Sequence, residues 1–162
     1  DRISAPAYHA EKLREEVHRA KRYNHALSAI MLDIDGFGKI GEGSSSSISD
    51  EILNLIVKIM RKTVRTVDIL SRYKGDLFLI ILPNTNRREA VELAERIRRN
   101  IAKRTRRIAQ LGEGVTATLS VAQCEAEEGG GEFVQRMERV LETGISKQRN
   151  VVYAAQARTG PG

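Results

Sequence analysis

From Pro6 to Asn24 apolar residues return at helical spacing, with Leu13, Val17 and Ala20 standing among charges such as Glu15, Glu16 and Arg19. That spacing predicts a helix with one buried face. Ala26–Ile34 (ALSAIMLDI) is shorter and almost wholly apolar. It predicts a buried strand ending at Asp33-Ile34-Asp35, with a turn at Gly36. Gly41–Ser49 (GEGSSSSIS) reads as a polar, flexible loop, and Asp50 stands where it would cap the next helix. From Glu51 onward Ile52, Leu55, Ile56, Ile59, Met60 and Val64 follow the i, i+3, i+4, i+7 rule of a half-buried helix.

Two strand-like runs come next, Val67–Tyr73 and Leu77–Leu82, separated by Lys74-Gly75-Asp76. Glycine and aspartate between strand runs signal a hairpin. Pro83 ends the second run because it has no N–H for the ladder. Arg87–Ala102 places Ala90, Leu93, Ala94, Ile97 and Ile101 on one helical face, and a basic run, Lys103–Arg107, follows. Val115–Cys124 predicts a strand, Gly129–Gly131 a loop, Phe133–Ser146 a helix facing inward through Val134, Met137, Val140 and Leu141, and Asn150–Ala154 a last short strand. No segment repeats. The order α-β-α-β-β-α-β-α-β predicts one α/β domain, a central sheet of about five strands with an antiparallel hairpin, flanked by helices.

At 162 residues the chain is expected to hold a single domain, residues 1–157, with a short tail at 158–162. Its one cysteine, Cys124, excludes a disulfide framework and argues against a cysteine zinc site. This usage fits a reducing compartment, so a cytoplasmic location is expected. No apolar run approaches the ~20 residues that cross a bilayer, and no signal peptide opens the chain. The start at Asp1 is expected to be that of a fragment of something longer. Lys and Arg number 27 against 21 Asp and Glu, and this excess of +6 suits an anionic partner. Aromatics at 4% with no Trp argue against single-stranded nucleic acid, which needs stacking platforms.

Most isolated candidates for chemistry have plain readings. His9, His18 and His25 do not cluster in sequence with Cys124 or with paired acids, and Cys124 reads as a small buried hydrophobe. The glycine triplet at Gly129 lacks the Lys-Ser/Thr of a P-loop. Arg98, Arg99, Lys103, Arg104, Arg106 and Arg107 read as a solvated helix face, with an anionic partner surface as the alternative. Arg65 and Asp68 have the spacing of an exposed ion pair at a helix end, worth about 0.3–0.5 kcal/mol.

Several stretches in order resemble the GGDEF domain, the family of diguanylate cyclases. Ile30–Phe37 (IMLDIDGF) resembles its strand ending in D-x-D-x-F, and Ser49-Asp50-Glu51-Ile52-Leu53 its G-D-x-x-L. Arg72–Phe78 (RYKGDLF) is similar to R-Y-G-G-D-E-F, Ala94–Arg98 to A-E-R-I-R, and Arg149-Asn150-Val151 to the closing G-R-N-x-V. Asp1-Arg2-Ile3-Ser4 is similar to the D-x-L-T opening. The resemblance covers essentially the whole chain and implies the nucleotidyl-cyclase-like fold of that family.

The departures are concentrated where the family holds GTP. The signature loop here is Lys74, Gly75, Asp76, Leu77 and Phe78. Lys74 replaces a glycine that lets the backbone approach the nucleotide, and Leu77 replaces a glutamate. The family's guanine-binding Asn falls on Gly41, although its partner Asp is kept as Asp50. The late phosphate-binding Lys falls on Ile145, and Lys147, two residues on, points elsewhere on a helix. The G-H before the guanine Asp gives way to the serine run Ser44–Ser47. By resemblance Asp33 and Asp76 are the metal pair, here read as vestigial. The alternative is two hydrogen-bonded turn acids. No cofactor is expected to be required, and Mg²⁺ is not expected to bind without nucleotide phosphates as co-ligands.

A second family site is intact. Arg65-Thr66-Val67-Asp68 lies five residues ahead of Lys74, resembling the R-x-x-D inhibitory site that binds the product, cyclic di-GMP, and Arg96 falls on the arginine that often completes it. Guanidinium groups can bond guanine O6 and N7 or clamp phosphate, and a carboxylate can accept from guanine N1–H and N2–H. All three are expected to be exposed charges whose removal changes stability by about 0.5 kcal/mol or less.

The sequence thus points to a catalytically inactive GGDEF domain that acts as a cyclic di-GMP receptor through Arg65, Asp68 and Arg96. The alternatives are a residual diguanylate cyclase acting on GTP, and a nucleotide-free dimerisation or partner-binding scaffold. The expected partners are cyclic di-GMP, neighbouring domains of a longer chain or a downstream protein, and a second copy in a ligand-dependent dimer. Neither nucleic acid nor a membrane segment is expected.

Overall fold

The computed structural model describes residues 6–38, 46–74, 76–108 and 111–157. Among the described residues the elements follow in the order α1 Pro6–Tyr23, β1 Leu27–Ile34, α2 Ser46–Thr63, β2 Ile69–Arg72, β3 Leu77–Pro83, α3 Arg87–Thr105, β4 Ala117–Gln123, α4 Gly130–Lys147 and β5 Val152–Ala154. The strands form one mixed sheet in the order β2-β3-β1-β4-β5. All neighbours are antiparallel except β4 and β5.

β1 lies at the centre, which is why its sequence is apolar on both faces. Ile30, Leu32 and Ile34 face one core with α2 and α3, through Ile52, Ile56, Ile59, Ala94, Ile97 and Ile101. Leu27, Ala29 and Met31 face the opposite core with α1 and α4, through Leu13, Val17, Phe133, Met137 and Leu141. β3 alternates in the same way, with Phe78, Ile80 and Leu82 on the first face and Leu79 and Ile81 on the second. The period-2 direction of side chains on a strand turns one run into two half-cores.

Several boundaries differ from the expectations, among them the end of α3 and the starts of β4 and β5, and three have a clear local reason. α2 begins at Ser46, so Ser46–Ser49 are helical and Asp50 is an exposed residue inside the helix rather than its cap. Ile48 explains the extension, because it packs against the core one turn before Ile52. β2 begins at Ile69 rather than Val67, because residues 65–68 form a turn closed by Asp68 N–H to the Arg65 carbonyl at 3.0 Å, and this leaves Val67 61% exposed. α4 begins at Gly130, with Gly129 as its N-cap, where the Gly129 N–H donates to Glu132 Oε1 at 3.1 Å. The Gly75 of the hairpin, Gly41, the Asp1–Ser4 opening and the 158–162 tail lie outside the described residues.

Gly144 permits a close approach between α4 and β5. A Cβ there would overlap the ring of Tyr153. Tyr153 is held in place by its hydroxyl, which donates to the Gln148 carbonyl at 2.6 Å.

Candidate functional site

Two groups of sequence-predicted residues lie at opposite ends of the sheet. At the C-terminal end of β1, Asp33 pairs in register with Leu77 on β3 and with Thr118 on β4. Arg149 reaches over from the α4–β5 connection, with Nη1 at 2.9 Å from Asp35 Oδ1 and 3.4 Å from Asp33 Oδ2. Asn150, at φ 62°, adds its N–H to Asp35 Oδ2 at 3.2 Å. Thr116 and Thr118 donate to the same carboxylate at 2.7 and 2.8 Å. Asp35 is therefore a structural acid that ties β1, β4 and the α4–β5 turn together. Sequence reasoning gave it no role, although the pairing of D-x-D with a late R-N is the signal that could have found it.

Asp33 is partly buried, and this burial pushes its carboxyl above the usual aspartate range. The Arg149 guanidinium opposes that rise, and the nearby charges of Asp35 and Asp76 add to it. Asp33 and Asp76 thus share one end of the sheet, with Asp76 exposed on the hairpin. Arg149 already balances Asp33, so a divalent ion would have to compete with a guanidinium for that carboxylate. Among the described residues no group of three or more His, Cys, Asp or Glu side chains is placed to hold a metal.

The hairpin departures have structural consequences. Lys74 Nζ pairs with Glu138 of α4 at 2.9 Å, and Tyr73 donates its hydroxyl to the same carboxylate at 2.9 Å. Burial and then Glu138 push the Tyr73 phenol up to about 12. Leu77 and Ile145, at the positions where the resemblance places a glutamate and a lysine, both pack against the α1–α4 core. Both positions are apolar and partly buried, and Lys74 is committed to α4.

At the other end of the sheet Arg65, Asp68 and Arg96 line a single open recess of about 290 Å³ with Thr63, Thr85 and Glu92. Arg65 follows α2, Asp68 closes the turn before β2, and Arg96 lies on the exposed face of α3. Asp68 is not the exposed charge that the sequence suggests. Its side chain is 1% exposed. It accepts the Arg65 backbone N–H at 2.7 Å, Nη2 at 2.9 Å and Nε at 3.3 Å. A short polar side chain closing its own turn is the usual reason for such burial. In this state the carboxylate holds Arg65, and it can accept from a guanine edge only if Arg65 moves away. The same contact raises the already high pKa of the guanidinium. Arg96 is exposed and has no hydrogen-bond or ion-pair partner among the described residues.

Arg98 does not lie on the solvated helix face that the sequence suggests, because its side chain is only 20% exposed. Arg98 is tied to Glu95 at 2.9 Å and Asn150 at 2.8 Å, whereas Arg99, Lys103, Arg106 and Arg107 are exposed on or just after α3. Cys124 is half-buried, and burial raises its thiol to about 11, which keeps it protonated at neutral pH. His9 is buried against Tyr73, with ring centroids 5.1 Å apart. No helix among the described residues is long and apolar enough to cross a membrane.

Residues 4–150 match the family described as "Diguanylate cyclase, GGDEF domain". The chain is 30% identical over 138 residues to the response regulator PleD of Caulobacter vibrioides, covering 85% of this chain and 30% of that protein. It is 33% identical over 108 residues to the diguanylate cyclase DosC of Escherichia coli, covering 67% and 23%. It thus spans under a third of these relatives. The active GGEEF domain of a diguanylate cyclase from Vibrio cholerae superposes with a TM-score of 0.87 at 23% identity, over 96% of this chain and 99% of that one. The GGDEF domain of DgcB from Caulobacter crescentus, solved in complex with c-di-GMP, gives 0.88 at 19% identity, over 96% and 92%. The shared fold and a family match running from residue 4 to residue 150 make this chain a member of the diguanylate cyclase GGDEF-domain family.

Proposed function

We propose that this GGDEF domain is a receptor for cyclic di-GMP and does not make it. The observation that carries the reading is the contrast between the two ends of the sheet. Arg65, Asp68 and Arg96 converge on one open recess, and Arg96 has no partner among the described residues. At the opposite end Leu77 and Ile145 are partly buried against the core and Lys74 is paired with Glu138. A half-exposed guanidinium and a free one suit a ligand with two guanines and two phosphates, since each can fork onto a base edge or a phosphate. Catalysis, by contrast, needs two nucleotides in near-attack geometry. At Gly41, Leu77 and Ile145 the side chains that would hold them carry neither charge nor acceptor. As a sensor the domain acts by ligand-dependent association or by biasing a neighbouring domain.

The retained Asp33 and Asp76, and relatives that are diguanylate cyclases, favour a second reading, a residual cyclase. Incubation with GTP and Mg²⁺ or Mn²⁺, with product resolved by chromatography, separates the two. Steady conversion to cyclic di-GMP overturns the receptor-only reading. Saturable binding of cyclic di-GMP with no turnover of GTP is the result it predicts. Neither binding nor turnover leaves the scaffold.

A further inference from the structure

We propose that Thr85 is a positioning residue of the recess that holds Arg65 and Arg96, setting the Arg65 guanidinium before any ligand arrives; this rests on the receptor reading. Thr85 follows the Pro83-Asn84 turn at the end of β3, where Asn84 takes φ 53°. It is 7% exposed and held at three points. Its N–H donates to the Ala26 carbonyl at 3.2 Å, its carbonyl accepts the Ser28 hydroxyl at 2.7 Å, and its own hydroxyl donates to the Pro83 carbonyl at 3.0 Å. A hydroxyl has one proton to give and lone pairs to accept with. With the proton spent on Pro83, Oγ1 presents an acceptor to Arg65 Nη2 at 2.8 Å.

The Pro83 carbonyl accepts from the same Nη2. Asp68 takes Nε and the other side of Nη2. Nε and Nη2 are therefore fully engaged within the protein. Nη1 is the guanidinium nitrogen with no partner among the described residues, and it carries two donors for a phosphate or a guanine edge. The seat joins two turns 20 residues apart in sequence, so the direction in which Arg65 points is set by the β3–α3 connection as well as by its own turn. Fixing a rotamer-rich arginine beforehand removes part of the ordering cost of binding. A hydroxyl is needed there, because valine has the shape of threonine and no acceptor.

The test uses the whole chain with Thr85→Val and Thr85→Ser, alone and combined with Arg65→Ala. Two readouts are taken: calorimetric titration with cyclic di-GMP, and NMR of the Arg65 Nε–H in the free protein. Thr85→Val should weaken binding about tenfold, the worth of one hydrogen bond to a charged group at its lower end. It should also speed rotation of the Arg65 guanidinium, and Thr85→Ser should restore both. In the Arg65→Ala background Thr85→Val should change affinity no further, an epistasis that a purely structural defect would not show. Equal loss in both backgrounds, or unchanged Arg65 motion in Thr85→Val, overturns the proposal. A parent chain that does not bind cyclic di-GMP overturns the receptor reading instead. The NMR arm then decides alone whether Thr85 seats Arg65.

Discussion

Removing the Asp68 carboxylate should cost the fold far more than removing the exposed charge of Arg96. In Asp68→Ala the Arg65 N–H loses its 2.7 Å acceptor, and the guanidinium loses contacts at 2.9 and 3.3 Å. Hydrogen bonds to a charged partner contribute about 1.5–3 kcal/mol when buried. The Arg65 side chain is 51% exposed, so the ion pair itself adds little, within about 0.2–1 kcal/mol. A loss near 2 kcal/mol follows, which for a domain of this size lowers Tm by about 4–8 °C. Asp68→Asn keeps one acceptor oxygen and should fall between Asp68→Ala and the parent. Arg96→Ala touches nothing that is bonded and should stay within about 0.5 kcal/mol. Urea unfolding at fixed pH, with m-values compared, measures all three. If Asp68→Ala unfolds at the same urea concentration as Arg96→Ala, the turn is not held by that carboxylate, and the view of Asp68 as the holder of Arg65 is wrong.

Lys74→Gly with Leu77→Glu rebuilds the signature loop but leaves Gly41 and Ile145 unrepaired, so no turnover of GTP is expected; rates on the order of 1 per second would show those positions to be dispensable. Glu92→Gln removes a carboxylate from the rim of the recess and should tighten cyclic di-GMP binding about twofold at low salt, with the gain fading as salt rises; unchanged affinity at low salt would place the phosphates elsewhere. Gly144→Ala drives a methyl into the Tyr153 ring and should destabilise the domain by about 1–3 kcal/mol in chemical unfolding, whereas the same change at exposed Gly131, where a Cβ meets nothing, should not. Burial holds His9 neutral below its ordinary range, opposed by its bond to the Arg72 carbonyl. The unfolded chain therefore takes up a proton near pH 6.5 that the folded chain resists, and stability present above that pH is lost as pH falls through it. Between pH 7 and 5.5 the parent should lose more stability than His9→Phe, and parallel curves would contradict this.

The fold was legible because each element carries its own period. β1 reads as apolar throughout since it sits at the centre of the sheet, and α3 and α4 show one apolar stripe each because one face meets a core. Boundaries were missed where a side chain outvoted local propensity: Ile48 draws three serines into α2, and the Asp68 turn delays β2. Arg65, Asp68 and Arg96 could be named from motif spacing, but that spacing could not reveal the burial of Asp68. Burial depends on the turn and on the arginine lying over it. Thr85 was invisible for a similar reason. Its contact with Arg65 joins the α2–β2 and β3–α3 connections, and only the antiparallel pairing of β2 with β3 brings those connections to one end of the sheet.

The most direct test of the receptor reading is a calorimetric titration of cyclic di-GMP into the folded parent chain and into Arg65→Ala and Arg96→Ala at one salt concentration. Saturable binding is expected in the parent. Arg65→Ala should weaken it about 5- to 150-fold, the range for a good bidentate arginine–guanine pair, and Arg96→Ala by less if it meets phosphate in water. No heat of binding in the parent, or equal affinity in all three folded proteins, would contradict the account.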